Sequence, residues 1–171
     1  MQFDHKTINL QRFPKTGNKS LRPWSAADEL LLKTALTLGL DKKSIVIAHD
    51  NFGAMAVALN AYRPHSVINQ ASQLKALRKN LENNGLDTKE VIHATNVNLA
   101  LVKVPKSADL FQLYLQQLHA VSSPNSVVLC GFLTRNFTAK WIEIAELYFD
   151  DVSQSLAERK ARLLILKSPK K

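Results

Sequence analysis

An α/β fold, built as one mostly parallel sheet with helices on both faces, is predicted by three features of this sequence. Short apolar runs alternate with stretches of helical spacing, strand then helix, about five times along the chain. The runs are nearly continuous in Val, Ile, Leu and Ala, the pattern of strands buried on both faces rather than on one. The chain of 171 residues carries no long linker between them, so a single covered sheet is the simplest packing.

Residues 1–23 show no clear period and hold Leu-Gln-Arg-Phe-Pro at 10–14 and a turn-like Thr16-Gly17-Asn18. Ser25 can cap a helix, with Asp28 three positions on approximating a capping box before Leu30, Leu31, Leu32, Ala35 and Leu36. Residues 44–49 read as the first strand of the alternation and 54–61 as its helix. Residues 66–69 read as the second strand, followed by a helix over 71–84 with Leu74, Leu77 and Leu81 on one face and Asn84-Gly85 as its stop. Val91 to Ala94 is expected as a third strand and Ala100 to Val104 as a fourth. A helix over 108–121, a strand over 126–130 and a helix over 138–149 with Trp141, Ala145 and Tyr148 on one side follow. Residues 152–155 and 162–166 are expected as the last strands, and the Lys-Ser-Pro-Lys-Lys end is too polar to pack.

Composition narrows the function classes. With 46% hydrophobic and 22% charged residues the chain matches ordinary globular proteins. No apolar stretch approaches the roughly 20 residues of a membrane span, and the first residues lack the plan of a signal peptide, so a cytoplasmic address is expected. The single Cys130 lies in an apolar run and reads as a small core hydrophobe. The formal charge is +9. Its excess sits at the ends: residues 1–43 hold eight basic and four acidic side chains, 44–100 five and four, and 101–171 ten and six. A polyanion, nucleic acid first, is the partner class this balance favours, with solubility alone as the competing explanation.

The stretch His49-Asp50-Asn51-Phe52-Gly53-Ala54 follows the first strand of the alternation and leads into a helix, which is how nucleotide-binding loops begin. An S-adenosylmethionine loop has an acidic residue and then alternating glycines. Here Asp50 and Gly53 are present, but Phe52 stands where the first glycine belongs and Ala54 where another is expected, so the ring would fill the cofactor space. Neutral Asn69 and Gln70 stand where an acid normally holds the ribose. Neither G-x-G-x-x-G nor a P-loop occurs. The fourth strand ends Lys103-Val104-Pro105-Lys106, where amino-directed nucleic-acid methyltransferases carry Asn-Pro-Pro-Phe. An ammonium cannot accept a hydrogen bond from a target amine, although it can meet phosphate. The five histidines show no metal-ligand spacing, His49 beside Asp50 reads as structural rather than as an acid/base pair, and no G-x-S-x-G occurs.

Six ordered blocks, "LQRFP", "WSAADELLL", "DNFGAMAVAL", "ALRKNLENNGL", "VKVPK" and "RKARLL", resemble the N-terminal half of the ribosomal RNA large-subunit methyltransferase G family and, more distantly, its small-subunit counterpart, methyltransferase C. The resemblance covers nearly the whole chain. It implies a Rossmann-like, class I methyltransferase-type three-layer sandwich with a degenerate cofactor site. It also implies tandem methyltransferase-like domains that methylate the exocyclic amine of a guanine in large-subunit (23S) ribosomal RNA. The C-terminal domain would carry S-adenosylmethionine and the catalytic motif, and this chain would bind and orient the RNA. On that reading residues 1–24 are an arm, 25–167 the methyltransferase-like domain and 168–171 a tail or linker to a catalytic domain absent from this chain. No catalytic, cofactor-binding or metal residue is assigned, and Asp50, Phe52 and Gly53 mark the degenerate loop. The candidates for RNA contact are Arg12, Lys15, Arg22, Lys103, Lys106, Arg135, Lys160 and Arg162. Trp24 and Phe13 read as packing residues first and base-stacking residues second. The competing classes are a competent small S-adenosylmethionine-dependent methyltransferase with an unusual loop, and a structural or dimerisation module.

Overall fold

A computed structural model describes residues 1–13, 17–18, 21–68, 71–86 and 94–171. A two-stranded hairpin, β1 (Gln2–Phe3) and β2 (Lys6–Thr7), opens the chain, and α1 (Ala26–Leu38) follows. The alternation then runs β3 (Ile45–Ala48), α2 (Ala54–Ala58), β4 (His65–Val67), α3 (Ala71–Asn83), β5 (Val97–Lys103), α4 (Ala108–Val121) and β6 (Ser122–Leu133). After a short 3-10 turn, Thr134–Asn136, come α5 (Ala139–Glu146), β7 (Phe149–Gln154) and β8 (Ala161–Pro169). The main sheet has six strands in the order β4-β3-β5-β6-β8-β7. The first four are mutually parallel, and β8 runs against both β6 and β7. Of the strand expected at 91–94, residues 91–93 lie outside those described, and Ala94 is in no strand.

Two apolar layers sandwich the sheet. On one face Leu31, Leu32 and Ala35 of α1 and Met55 of α2 pack on Ile45, Ile47, Leu99, Leu101, Leu129 and Leu163. On the other, Phe111, Tyr114 and Leu115 of α4 and Trp141 and Ile144 of α5 pack on Val46, Ala100, Val102, Val128, Cys130 and Leu164. Strand residues of alternate parity therefore serve opposite faces, which is why these runs must be apolar throughout. Cys130 is fully buried, and burial pushes its thiol well above the usual range. Gly131 in β6 permits the close seating of α1, since a Cβ there would stand 2.7 Å from Leu31 Cγ and 3.3 Å from the carbonyl of Ala27.

Three elements differ from expectation. The helix expected over 138–149 ends at Glu146, and Phe149 begins a strand, because the Phe149 ring is buried against the α4/α5 layer. The C-terminal residues are tied down despite their polarity: β8 continues through Pro169, and the Lys170 amide donates to the Tyr148 carbonyl at 2.8 Å. The His119 ring Nε2 lies 2.6 Å from the Lys170 carbonyl. Backbone pairing needs no apolar side chain, so composition alone misreads this end. The N-terminal stretch is likewise anchored, with Ile8 buried against Val57 and Leu81. No helix among the described residues is long and apolar enough to cross a membrane.

Candidate nucleic-acid interface

Because β3, β5 and β6 are parallel, their carboxyl ends lie on one edge of the sheet, the edge where open α/β folds bind ligands. The loop after β3 is occupied by its own chain. The Asp50 carboxylate accepts hydrogen bonds from the amides of Ala56 at 2.9 Å and Met55 at 3.2 Å, taking up donors of the first turn of α2. Desolvation, with the Asp28 charge adding to it, pushes this carboxyl up to about 6. Gly53 has φ +83°, and a Cβ there would lie 2.8 Å from Leu77 Cδ1 and 3.0 Å from Leu77 Cα. Its missing side chain thus lets α2 start against α3. Phe52 is half-buried, with the Arg12 guanidinium 5.0 Å above its ring centre. His49 adopts φ 62°, with its Nδ1 3.3 Å from the Tyr114 hydroxyl, and burial and then Lys103 lower its pKa.

Two asparagines one helical turn apart clamp the N-terminal arm onto α3. The wholly buried Asn80 accepts from the Gln11 amide at 2.7 Å and donates to the Gln11 and Phe52 carbonyls at 2.9 and 2.7 Å. Asn84 accepts from the Asn9 amide at 2.9 Å and donates back to its carbonyl. The two amides serve the extended arm as a neighbouring strand would, and they carry Arg12 to the carboxyl edge.

The first turn of α1 is fixed at the same edge. Asp28, 2% exposed, accepts from the Ser25 amide at 2.7 Å in the expected capping arrangement and from Lys103 Nζ at 2.9 Å. Lys103, expected on the sequence to face phosphate, is thus committed to a buried carboxylate that it locks to the end of β5. Glu29 accepts from the indole Nε1 of Trp24 at 2.9 Å through one oxygen and faces Arg159 Nη1 at 3.4 Å through the other.

Between the lead-in to α1, the turn after β6 and the β7–β8 hairpin lies a cavity of about 410 Å³, lined by Arg12, Arg22, Arg135, Arg159 and Lys160 with Trp24, and by no acidic side chain among the described residues. Arg22 stands 5.3 Å over the Trp24 ring. The hairpin tip is held in place by Thr134, whose amide donates to the Lys160 carbonyl at 2.9 Å. Arg159 and Lys160 themselves sit at φ 52° and 64°, left-handed positions that ordinary side chains rarely occupy.

Of the sequence candidates, Arg12, Arg22, Arg135 and Lys160 converge on this groove. Lys106 is exposed in the loop after β5, away from its walls. Arg162 has the strand parity of Leu164 and Leu166, so it belongs to the opposite face, where Nη1 reaches Gln154 at 3.4 Å and Nε is buried without a partner among the described residues. Lys15, and Asn69 and Gln70 at the ribose position, lie outside the described residues. Sequence reasoning passed over Arg159. The signal available was its place beside Lys160 in a polar turn between two strands. Trp24, read first as a packing residue, belongs to none of the apolar layers and is half-buried in the groove wall. Among the described residues no group of three or more His, Cys, Asp or Glu side chains is placed to hold a metal ion.

Comparison with known proteins matches residues 1–170 to a family described as the RLMG N-terminal domain. Ribosomal RNA large subunit methyltransferase G of Yersinia pestis (strain Pestoides F) is 31% identical over 167 residues, covering 93% of this chain and 42% of that protein. The Yersinia enterocolitica protein of the same name is 30% identical over the same shares. The chain therefore spans less than half the length of these relatives. Among solved structures, the Thermus thermophilus 16S rRNA N2 methyltransferase RsmC, in complex with AdoMet and guanosine, superposes with a TM-score of 0.69 at 17% identity, over 85% of this chain and 43% of that one. The Aquifex aeolicus tRNA methyltransferase TrmI superposes with a TM-score of 0.68 at 18% identity, over 95% and 73%. The fold is the Rossmann-like class I methyltransferase sandwich.

Proposed function

We propose, from the premise that this chain belongs to the RLMG N-terminal domain family, that it is the RNA-holding, non-catalytic domain of an S-adenosylmethionine-dependent ribosomal RNA (guanine-N2)-methyltransferase. It binds large-subunit (23S) rRNA in the cytoplasm and orients it for a C-terminal catalytic domain. The observation that carries the reading is the groove at the carboxyl edge, where five cations gather among the described lining residues and only Arg159 meets a carboxylate, that of Glu29 behind the Trp24 ring. Cations gathered in a concavity raise the local potential and neutralise phosphates with release of counterions.

The loop after β3 does not fit S-adenosylmethionine. Its acid is spent on two helix amides, its glycine lies against Leu77, and its phenylalanine sits under Arg12. At the end of β5, Lys103 bonds to Asp28 and supplies no acceptor for a target amine. These residues support recognition without methyl transfer.

Filter binding of 23S rRNA to the chain at two salt concentrations tests the reading. The combined Arg22→Glu, Arg135→Glu and Lys160→Glu variant is expected to lose affinity and to flatten the log–log salt slope by about two, at about 0.7 per single-strand phosphate contact. Unchanged affinity would remove the groove as the RNA surface. Micromolar binding of S-adenosylmethionine by calorimetry would overturn the non-catalytic part.

A further inference from the structure

Trp24 lines the basic groove on one side and a second cavity of about 750 Å³ on the other, so the indole stands as a partition between two open spaces rather than as part of a core. Its N–H is already satisfied by Glu29, which orients the ring as an apolar platform whose face a base would take from the exposed Arg22. The Arg22 guanidinium over the same ring shows that a flat cationic group fits there. We propose that the groove is a single-strand RNA site, in which one unpaired base stacks on Trp24 while Arg135 and Lys160 take the flanking phosphates.

The proposal rests on the RNA-holding reading and narrows it to one chemical form of RNA. A duplex offers its partner phosphate rails and a shallow minor groove, with its bases stacked inside, and it would rest on the rim of a 410 Å³ concavity without entering it. An unstacked base has a free π-face, and a pocket of this size lies in the range of small-ligand sites. Arginine is the cation suited to such a place, because its planar fork both grips phosphate and stacks on rings, and four of the five lining cations among the described residues are arginines. Arg159 is exposed, as are Arg22, Arg135 and Lys160, and its 3.4 Å approach to Glu29 is long for a charge-assisted bond. The strained backbone of Arg159 and Lys160 aims both side chains beside the platform.

The experiment uses the 171-residue chain with a fluorescein-labelled, unstructured RNA strand of about ten nucleotides, the same strand in a blunt duplex, and heparin as a polyanion without bases. Anisotropy is expected to show the single strand bound at least about tenfold more tightly than the duplex. Trp24→Ala is expected to weaken single-strand binding about 5- to 150-fold, the loss of one aromatic–base stack, and to leave heparin binding unchanged. Trp24→Phe, which keeps a ring and guards against misfolding of the alanine variant, is expected to bind within about threefold of the parent. Single-strand RNA should also quench the indole emission, and in Trp24→Phe the remaining Trp141, buried beside Phe111, Phe132 and Phe137, should not respond. Equal or tighter duplex binding, or a Trp24→Ala variant of folded spectrum that binds the strand as the parent does, overturns the single-strand site and leaves the RNA-holding reading standing. Binding of neither RNA overturns both.

Discussion

Substituting Gly53 by alanine separates a glycine kept for packing from one kept for a cofactor. Two costs are expected, and another glycine allows the first to be measured alone. The first is conformational: Gly53 has φ +83°, where an L side chain costs about 1–2 kcal/mol. Gly85, at φ +68°, has nothing among the described residues within 4 Å of an added Cβ, so Gly85→Ala reports a positive-φ cost without a steric one. The second is steric: the new methyl at position 53 would lie 2.8 Å from Leu77 Cδ1 and 3.0 Å from Leu77 Cα. The side-chain tip can turn away, but the Cα moves only with α3, and overpacking of this kind costs about 1–3 kcal/mol. Gly53→Ala should therefore lose about 2–5 kcal/mol in urea denaturation followed by circular dichroism, a large part of the stability of a domain this size. A loss no greater than that of Gly85→Ala would refute the close approach of α2 and α3 as the reason for this glycine.

The same loop and its neighbours yield three further expectations. Lys103→Met should destabilise by about 2–3 kcal/mol, below the full cost of breaking a buried pair because the lysine is one-fifth exposed, and should leave rRNA affinity unchanged; lost affinity at unchanged stability would put Lys103 on the RNA instead. Asp50 has its carboxyl raised to about 6, so folding favours its protonated form. Its contribution is full below pH 4 and is lost as pH rises through 6, a change of about 2–3 kcal/mol. Asp50→Asn, whose amide oxygen can still accept from α2, should flatten this part of the urea-midpoint profile, and an unaltered profile would show that another group titrates. Asn80→Ala removes three hydrogen bonds from a wholly buried position and should cost about 2–4 kcal/mol while speeding proteolytic cleavage near residues 9–13. Parental cleavage rates would mean that the arm is held by other contacts.

The strands of the central sheet were legible because burial on both faces demands continuous apolar runs, and 45–48, 97–103 and 126–130 meet that demand in the sequence itself. The start of α1 was legible for an equally local reason, since Ser25 and Asp28 satisfy the helix amide ends three residues apart. The end of α5 was not, because Leu147-Tyr148-Phe149 continues an apolar helical pattern and only the seat of Phe149 against the α4/α5 layer turns it into a strand. The site divides in the same way. That the loop after β3 departs from a cofactor turn could be read from Phe52 and from the lone Gly53, and charge counting pointed to a polyanion. Which cations act together could not. Lys103 reads as a free phosphate ligand until Asp28, distant in the chain, is found 2.9 Å away, and Arg162 reads like Lys160 until strand parity sends it to the other face.

By itself, then, the sequence determined the layer architecture, the capped start of α1 and the sign of the charge, because each is written in neighbouring residues through periodicity, capping and composition, while the family was carried by the resemblance of six ordered blocks. The tertiary structure alone decided that Arg12, Arg22, Arg135, Arg159 and Lys160 line one groove with Trp24 while Lys103 is paired with Asp28. The physical reason is that a groove is made by elements meeting at one sheet edge. The arm clamped by Asn80, the lead-in to α1, the turn after β6 and the β7–β8 hairpin come from four separate parts of the chain, and no local pattern records where they converge.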